Sequence, residues 1–343
     1  MTACLEDIAC ALVGGGKGIL AIDESSDTIK KRFDAISLES TEENRRDYRE
    51  MLLSSVEAMS QYISGVIFHQ ETIRQKSLKG SLFMDLLKTV GSIPGVKVDI
   101  GARPLAGFPG ERLTEGLDGL RKRLNEYSRL GLRFAKWRTV ISIDHVGLPT
   151  MAAVRKNAQA LARYAALCQE SGILPVIEPE VLMDGIPGDH SIDRCYEVTK
   201  YVLEEAFTAL REAYVKFEGL LLKPNMVIDG KEARRASIDE VAEKTIRCLK
   251  QTVPAAVPGI AFLSGGQSAE EATAHLSAMN AGSNSYPWVL TFSYGRALQT
   301  AALIAWGGKR KNVLDGQRAL IHRAKMNSLA ALGQWSQDAE SSS

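Results

Sequence analysis

Neither sign of charge predominates in this chain of 343 residues: 42 lysines and arginines stand against 41 aspartates and glutamates. Without a basic excess, no dedicated nucleic-acid surface or polybasic membrane face is expected. A local group of cations facing an anionic small molecule is still allowed. Cysteine is scarce as well. Cys4, Cys10, Cys168, Cys195 and Cys248 are odd in number, far apart and never in C-x-x-C spacing, which argues against a disulfide framework and for reduced thiols in a cytosolic protein. No apolar run approaches the ~18 residues of a membrane span. The opening "MTACLEDIAC" carries acids and no basic segment, so no signal peptide is expected and the cytoplasm is the expected location. His69, His145, His190, His275 and His322 are scattered, with no helical i,i+4 pair and no cysteine partners. No metal or cofactor site is expected from them. A G-x-G-x-x-G after the first apolar run and a G-x-S-x-G elbow are both missing, which sets aside dinucleotide binding and serine-hydrolase chemistry.

What the chain does have is alternation. Eight short apolar runs recur: "KGILAID" (17–23), "ISGVIFH" (63–69), "GVKVD" (95–99), "LRFAKWR" (132–138), "GILPVIEPE" (172–180), "GLLLK" (219–223), "GIAFLS" (259–264) and "WVLTFS" (288–293). Six of the eight contain an early glycine. Helical patterns lie between them, over 154–169 and 191–217 and after the capping-box spacings Ser40/Glu43, Ser237/Glu240 and Ser268/Glu271. Strands alternating with helices predict an α/β fold with a parallel sheet, and eight of them favour closure into a (β/α)8 TIM barrel. An open doubly wound sheet is the alternative. No linker divides the chain, so residues 1–343 are expected to form one barrel domain. A helical segment at 1–16 would precede it, and a helix with a flexible tail at 313–343 would follow.

Ionisable residues gather where these runs end. Asp23, Lys97, Lys136 with Arg138, Glu178 with Glu180, Lys223 and Ser264 close successive runs, and Arg296 follows the last. Alternate strand residues share a face, so 97/99, 136/138 and 178/180 each project two polar groups together. In a closed barrel such ends converge at the C-terminal mouth. Lys223 is the most telling, because it ends the "LLL" run just before Pro224. It reads either as a strand end snorkelling to water or as an amine in a dry pocket able to attack a carbonyl. Two glycine turns, Ser264-Gly265-Gly266 and Tyr294-Gly295-Arg296, each lead from a run into a helix, a combination suited to a phosphate. A second cationic group (Arg32, Lys97 and Arg138, with Ser25 nearby) is expected across the mouth. Two anion sites flanking a lysine point to a substrate phosphorylated at both ends.

The stretches "GILAIDES", "FAKWR", "EPE", "LLKPNMV", "FLSGGQS" and "TFSYGRALQ", in this order from about Gly18 to Leu332, closely resemble class I fructose-bisphosphate aldolases. That resemblance implies a metal-independent lyase that reversibly cleaves fructose 1,6-bisphosphate to dihydroxyacetone phosphate and glyceraldehyde 3-phosphate through a lysine Schiff base. It implies Lys223 as the Schiff-base lysine, Glu178 as general acid/base with Glu180 in support, Lys136 as the cation beside the nucleophile, and Asp23 as the group handling the C4 hydroxyl proton. It also implies Ser264, Gly265, Gly295 and Arg296 around the C1 phosphate, Arg32, Ser25, Lys97 and Arg138 around the C6 phosphate and C4 hydroxyl, and a homotetramer. A transaldolase-like or other ketose-bisphosphate enzyme, or a non-catalytic scaffold on the same fold, is the alternative. The chain departs from the resemblance at Asp27 and Thr28, where relatives often carry glycine and serine, and at Ile100, where lysine is common. Strand alternation predicts that Ile100 points away from Asp99. An ordinary lysine titrates near 10.4, so a nucleophilic one needs a drop of about 3 units, roughly 4 kcal/mol. Burial and the Lys136 charge are its expected sources, and Glu178 is expected to titrate toward neutrality.

Overall fold

The computed structural model describes residues 4–144, 147–183, 188–282 and 285–341; His145 lies outside them. The strands are β1 (Gly18–Ile22), β2 (Ile63–Phe68), β3 (Ile93–Lys97), β4 (Ala102–Pro104), β5 (Arg112–Thr114), β6 (Phe134–Ile141), β7 (Leu174–Val181), β8 (Leu221–Leu222), β9 (Gly259–Phe262) and β10 (Val289–Tyr294). Short β4 and β5 pair antiparallel as a hairpin. The other eight, one from each apolar run, close into a parallel barrel in the order β1-β10-β9-β8-β7-β6-β3-β2, with β2 returning to β1. The open-sheet alternative is excluded.

Helices α1 (Leu5–Val13), α2 (Ser26–Asp34), α3 (Glu42–Leu53), α4 (Phe83–Val90), α5 (Leu120–Leu130) and α6 (Met151–Glu170) occupy the first half. They are followed by α7 (Ile192–Glu212), α8 (Ile238–Thr252), α9 (Ala269–Asn280), α10 (Arg296–Trp306), α11 (Val313–Ala331) and α12 (Gln337–Ser341). Side-chain caps start many of them, since the first helical N–H groups need acceptors. Ser25, Thr150, Ser191, Ser237 and Ser268 all serve in this way, and Ser268 with Glu271 forms a full capping box. The Ser40/Glu43 spacing is corrected: Thr41 caps α3 by accepting from the Asn44 N–H. Thr41 is as good an acceptor as Ser40, and the pattern alone cannot separate neighbouring hydroxyl residues.

The parallel strands are covered on both faces, which is why they read as near-continuous apolar runs. Inside the barrel, Ile19, Ile67, Phe134, Val176, Leu221 and Ala261 pack with Ile8, Ala9, Leu12 and Val13 of α1. Burying an aliphatic side chain of this kind contributes roughly 1.5–3 kcal/mol, so α1 acts as a stopper in the N-terminal end. The early glycines of the runs now have a cause. A Cβ on Gly65 would meet Leu12 at 2.5 Å, one on Gly259 would meet Val13 at 2.7 Å, and one on Gly95 would meet the Phe134 ring at 2.4 Å. These glycines make room for the stopper and for the ring above it. At the other terminus α12 rests on α11 through Glu340, which accepts from His322 Nε2 and Trp335 Nε1 at 2.9 Å each and also pairs with Arg323. Gly95→Ala is expected to destabilise the fold by about 1–3 kcal/mol through overpacking. Denaturant unfolding of the single variant checks this, and pairing it with Phe134→Leu should restore part of the loss.

Candidate active site

A cavity of about 950 Å3 opens at the C-terminal mouth of the barrel. Asp23 reaches it from the end of β1, Lys97 from β3, and Lys136 and Arg138 from β6. Glu178 and Glu180 enter from β7, Lys223 from the residue after β8, Ser264 and Gly265 from the turn after β9, and Gly295 and Arg296 from the start of α10. Ser25 and Arg32, from the cap and body of α2, complete the wall. Every site residue singled out in the sequence therefore borders one space.

The centre is a buried chain of alternating charge. Lys223 Nζ lies 2.9 Å from Glu178 Oε1, Glu178 Oε2 lies 2.7 Å from Lys136 Nζ, and Lys136 Nζ lies 2.8 Å from Asp23 Oδ2. Lys223, Glu178 and Lys136 are each no more than 4% exposed. The Glu178–Lys136 contact is a charge pair out of hydrogen-bond line, because Oε2 has no aligned donor. Burial works against ionising Asp23, yet Lys136, Lys223 and Lys97 outweigh it and hold the carboxyl well below the usual carboxylate range. Burial likewise opposes the Lys136 charge, but Asp23, Glu178 and Asp99 push its ammonium well above the ordinary lysine value.

Two expectations change here. Burial would raise Glu178, but Lys136, Lys223 and Arg138 draw it below its ordinary value, so it is held ionised rather than poised near neutrality. Lys136, expected to repel the nucleophile's proton, is itself neutralised by Asp23 and Glu178. The group in contact with Lys223 is a carboxylate able to take its proton.

Around this centre, charges are paired again. Arg138 Nε pairs with Glu180, Lys97 Nζ with Asp99, and Arg32 Nη1 with Glu24. Asp99 also accepts the Gly101 and Arg138 backbone N–H groups at 3.1 and 3.2 Å. Arg296 has no carboxylate partner among the described residues. At the Ser264 turn, a Cβ on Gly265 would lie 3.0 Å from Glu180 Oε1, and Gly266 takes a positive φ of 75° against Met183. Ser25 Oγ accepts the Thr28 N–H at 3.4 Å and shares a 3.0 Å hydrogen bond with the Thr28 hydroxyl, while Asp27 also borders the cavity.

Arg32 borders the same cavity as Lys97 and Arg138, and its Nη2 also approaches Gly295. Placement corrects one further reading. Ile100 was expected to point away from the site; it is 54% exposed and borders the cavity. β3 ends at Lys97, so strand alternation does not extend to residue 100.

Glu24 and His69 line the cavity and were not singled out from the sequence. His69 closes the second run, the one run whose end was not counted among the ionisable ends. Its Nδ1 accepts the Glu71 N–H at 3.4 Å, and burial, with Arg49 and Lys97, lowers its affinity for a proton. Among the described residues, no group of three or more His, Cys, Asp or Glu could hold a metal ion.

Fold and site together define a class: a (β/α)8 barrel with an amine–carboxylate centre at its C-terminal mouth, bordered by two glycine turns. The chain belongs to the class-I fructose-bisphosphate aldolase family, whose model matches residues 4–343. It is 56% identical to a probable fructose-bisphosphate aldolase class 1 of Xanthomonas campestris, covering 96% of this chain and 98% of that one. It is 51% identical to the cytosolic fructose-bisphosphate aldolase 4 of Arabidopsis thaliana, covering 95% and 82%. A structure of the Plasmodium falciparum fructose-bisphosphate aldolase, in complex with TRAP and a small-molecule inhibitor, superimposes with a TM-score of 0.93 at 48% identity, covering 97% and 95%. The protein is thus a lyase of the class-I aldolase type.

Lys136→Met would leave Asp23 and Glu178 buried without their shared cation. Breaking such a pair costs about 3–5 kcal/mol. In the wild type the lowered carboxylates contribute stability that is full above the unfolded carboxylate values near 4 and is lost as pH falls from there through their lower folded values. The variant is expected to be less stable at pH 7 and to lose less on acidification. Urea unfolding midpoints from pH 7 down to about pH 2 read both effects.

Proposed function

We propose that Lys223 is the Schiff-base nucleophile of a reversible fructose 1,6-bisphosphate cleavage. The observation that carries this reading is the 2.9 Å contact between the buried Lys223 Nζ and Glu178 Oε1 at the barrel mouth. Glu178 accepts a proton from Nζ, and the neutral amine attacks the C2 ketone. Glu178 then returns a proton to the carbinolamine oxygen, which leaves as water and gives an iminium. Asp23, ionised beside Lys136, accepts the C4 hydroxyl proton while the C3–C4 bond breaks. The bonding electrons pass into the iminium to form an enamine, and glyceraldehyde 3-phosphate departs. Protonation at C3 and hydrolysis release dihydroxyacetone phosphate and regenerate the lysine.

The flanking sites give this substrate its orientation. Ser264, Gly265, Gly295 and the unpaired Arg296 offer N–H groups, the α10 N-terminus and a forked cation to one phosphate. Lys97 and Arg138 face the other end, with Ser25 on the α2 cap and Glu180 holding Arg138. We place the protein in the cytoplasm, as the name of the Arabidopsis relative states of that protein. Among the described residues no helix is long and apolar enough to cross a membrane. A homotetramer is the assembly this reading adopts, and light scattering should return a mass near four protomers.

Borohydride reduction in the presence of dihydroxyacetone phosphate should leave a stable adduct on Lys223, found by peptide mass mapping. Its absence from active enzyme would count against the nucleophile. Glu178→Gln is expected to lower kcat by about 10²–10⁴-fold, the usual contribution of a positioned acid/base. Fructose 6-phosphate as sole substrate should not be turned over, which separates this reading from a transaldolase.

A further inference from the structure

Two residues within the motifs are given no role by the mechanism proposed above: Glu24 of "IDES" and Gln299 of "SYGRALQ". The structure joins them. Gln299 Nε2 donates to Glu24 Oε1 at 3.0 Å and to the Ala21 carbonyl at the end of β1. Glu24 Oε1 also takes the Arg32 guanidinium. From the far side the Tyr48 hydroxyl donates to Gln299 Oε1 at 3.0 Å. Tyr48 and Gln299 are each 1% exposed and Glu24 7%.

We propose that Tyr48, Gln299 and Glu24 are positioning residues that fix Arg32 against the Gly295–Arg296 turn and thereby set affinity for the phosphate docked there. The proposal rests on the aldolase reading of that turn. Its logic is the direction of the donors. A glutamine amide can rotate by half a turn, presenting either nitrogen or oxygen. The Tyr48 hydroxyl spends its proton on Oε1, which leaves Nε2 facing Glu24 and Ala21. Were the amide reversed, its oxygen would face the Glu24 carboxylate and the Ala21 carbonyl. Glu24 Oε2 is buried with no partner, so the carboxylate's orientation is set through Oε1, by Gln299 and Arg32.

Tyr48 is held in its own place. It stacks on Trp306 with centroids 5.5 Å apart and meets the edge of Phe33 at 5.6 Å. Phe33 is the next residue to Arg32 on α2, and Trp306 ends α10. At the output, Arg32 Nη2 lies 3.5 Å from where a Cβ on Gly295 would sit. That is van der Waals distance, so the Arg32 guanidinium rests against the backbone of this turn, and Arg296 follows directly. Two guanidiniums thus border one turn, one free and one held through a three-residue chain from α3.

Tyr48→Phe deletes one oxygen atom and keeps the aromatic packing; Gln299→Leu deletes the amide. Each should raise KM for fructose 1,6-bisphosphate and the inhibition constant of inorganic phosphate together, by about tenfold where preorganisation of a clamp is lost. kcat should change by less than about twofold, since the groups around Lys223 are untouched. Thermal melting of each variant, done alongside, shows that the measured protein is folded. If Gln299→Leu fails to fold, Tyr48→Phe alone decides. Unchanged KM and phosphate inhibition in folded Tyr48→Phe would overturn the relay, as would a loss confined to kcat. Wild-type trapping of dihydroxyacetone phosphate on Lys223 is run in parallel. Its failure overturns the underlying reading, whereas success with unaltered variants overturns the relay alone.

Discussion

Four charges in a row, the buried Lys223, Glu178 and Lys136 and the half-buried Asp23, dominate the electrostatics of this mouth. None would be tolerated alone at that depth, because an unpaired ion loses far more hydration than the interior returns. Alternation solves the problem by giving each inner charge two opposite neighbours. It also makes the row responsive. A proton moved from Lys223 to Glu178 removes one positive and one negative charge together, so the remaining Lys136–Asp23 pair stays balanced. Protonating Glu178 leaves Lys136 with Asp23 as its remaining counter-charge, so the cations that hold Glu178 ionised at rest also draw the proton back off it.

The barrel separates this sensitive end from a rigid one. At the N-terminal end α1 is packed among apolar side chains, with Gly65, Gly95 and Gly259 admitting Leu12, Phe134 and Val13 at distances no β-carbon would allow. That end carries hydrophobic stability and no chemistry. The strands run from it to the mouth, where backbone positions fixed below determine side-chain positions above. Lys136 and Arg138, two residues apart on β6, face the same space for that reason. So do Glu178 and Glu180, paired in register with Arg138 and Val140 across the β6–β7 ladder.

Much of this was legible because buried parallel strands lose the polar alternation that hides other strands, leaving short apolar runs whose ends are conspicuous. Each of the eight runs became a barrel strand, and the polar residues at their ends line the cavity. What escaped did so for physical reasons. Ile100 was placed by a strand rule that stops applying at Lys97, where the chain leaves the ladder. Thr41 rather than Ser40 caps α3, since either hydroxyl suits the local spacing and only the fold chooses. Glu178 was expected near neutrality because burial is visible in a sequence, whereas the three cations that overcome it come from other strands. His69 and Glu24 were missed beside more conspicuous neighbours, although each ends or follows a run as the others do.

Pairing also explains how a site meant for a strongly anionic substrate persists without one. Arg32, Lys97 and Arg138 hold Glu24, Asp99 and Glu180, so most of the positive charge around the cavity is compensated at rest. Unpaired, these cations would repel one another across a low-dielectric space and strain the loops that carry them. Holding each against a fixed carboxylate restricts its rotamers before any ligand arrives. An incoming phosphate then meets oriented donors with free N–H groups still available, since a guanidinium has five and a single carboxylate contact occupies few of them. In the proposed reading Arg296, which has no carboxylate partner among the described residues, carries the uncompensated charge that first attracts the anion. Attraction and orientation are thus assigned to different arginines at one turn, and the carboxylates that seem to compete with the substrate are what keep its binding groups in place.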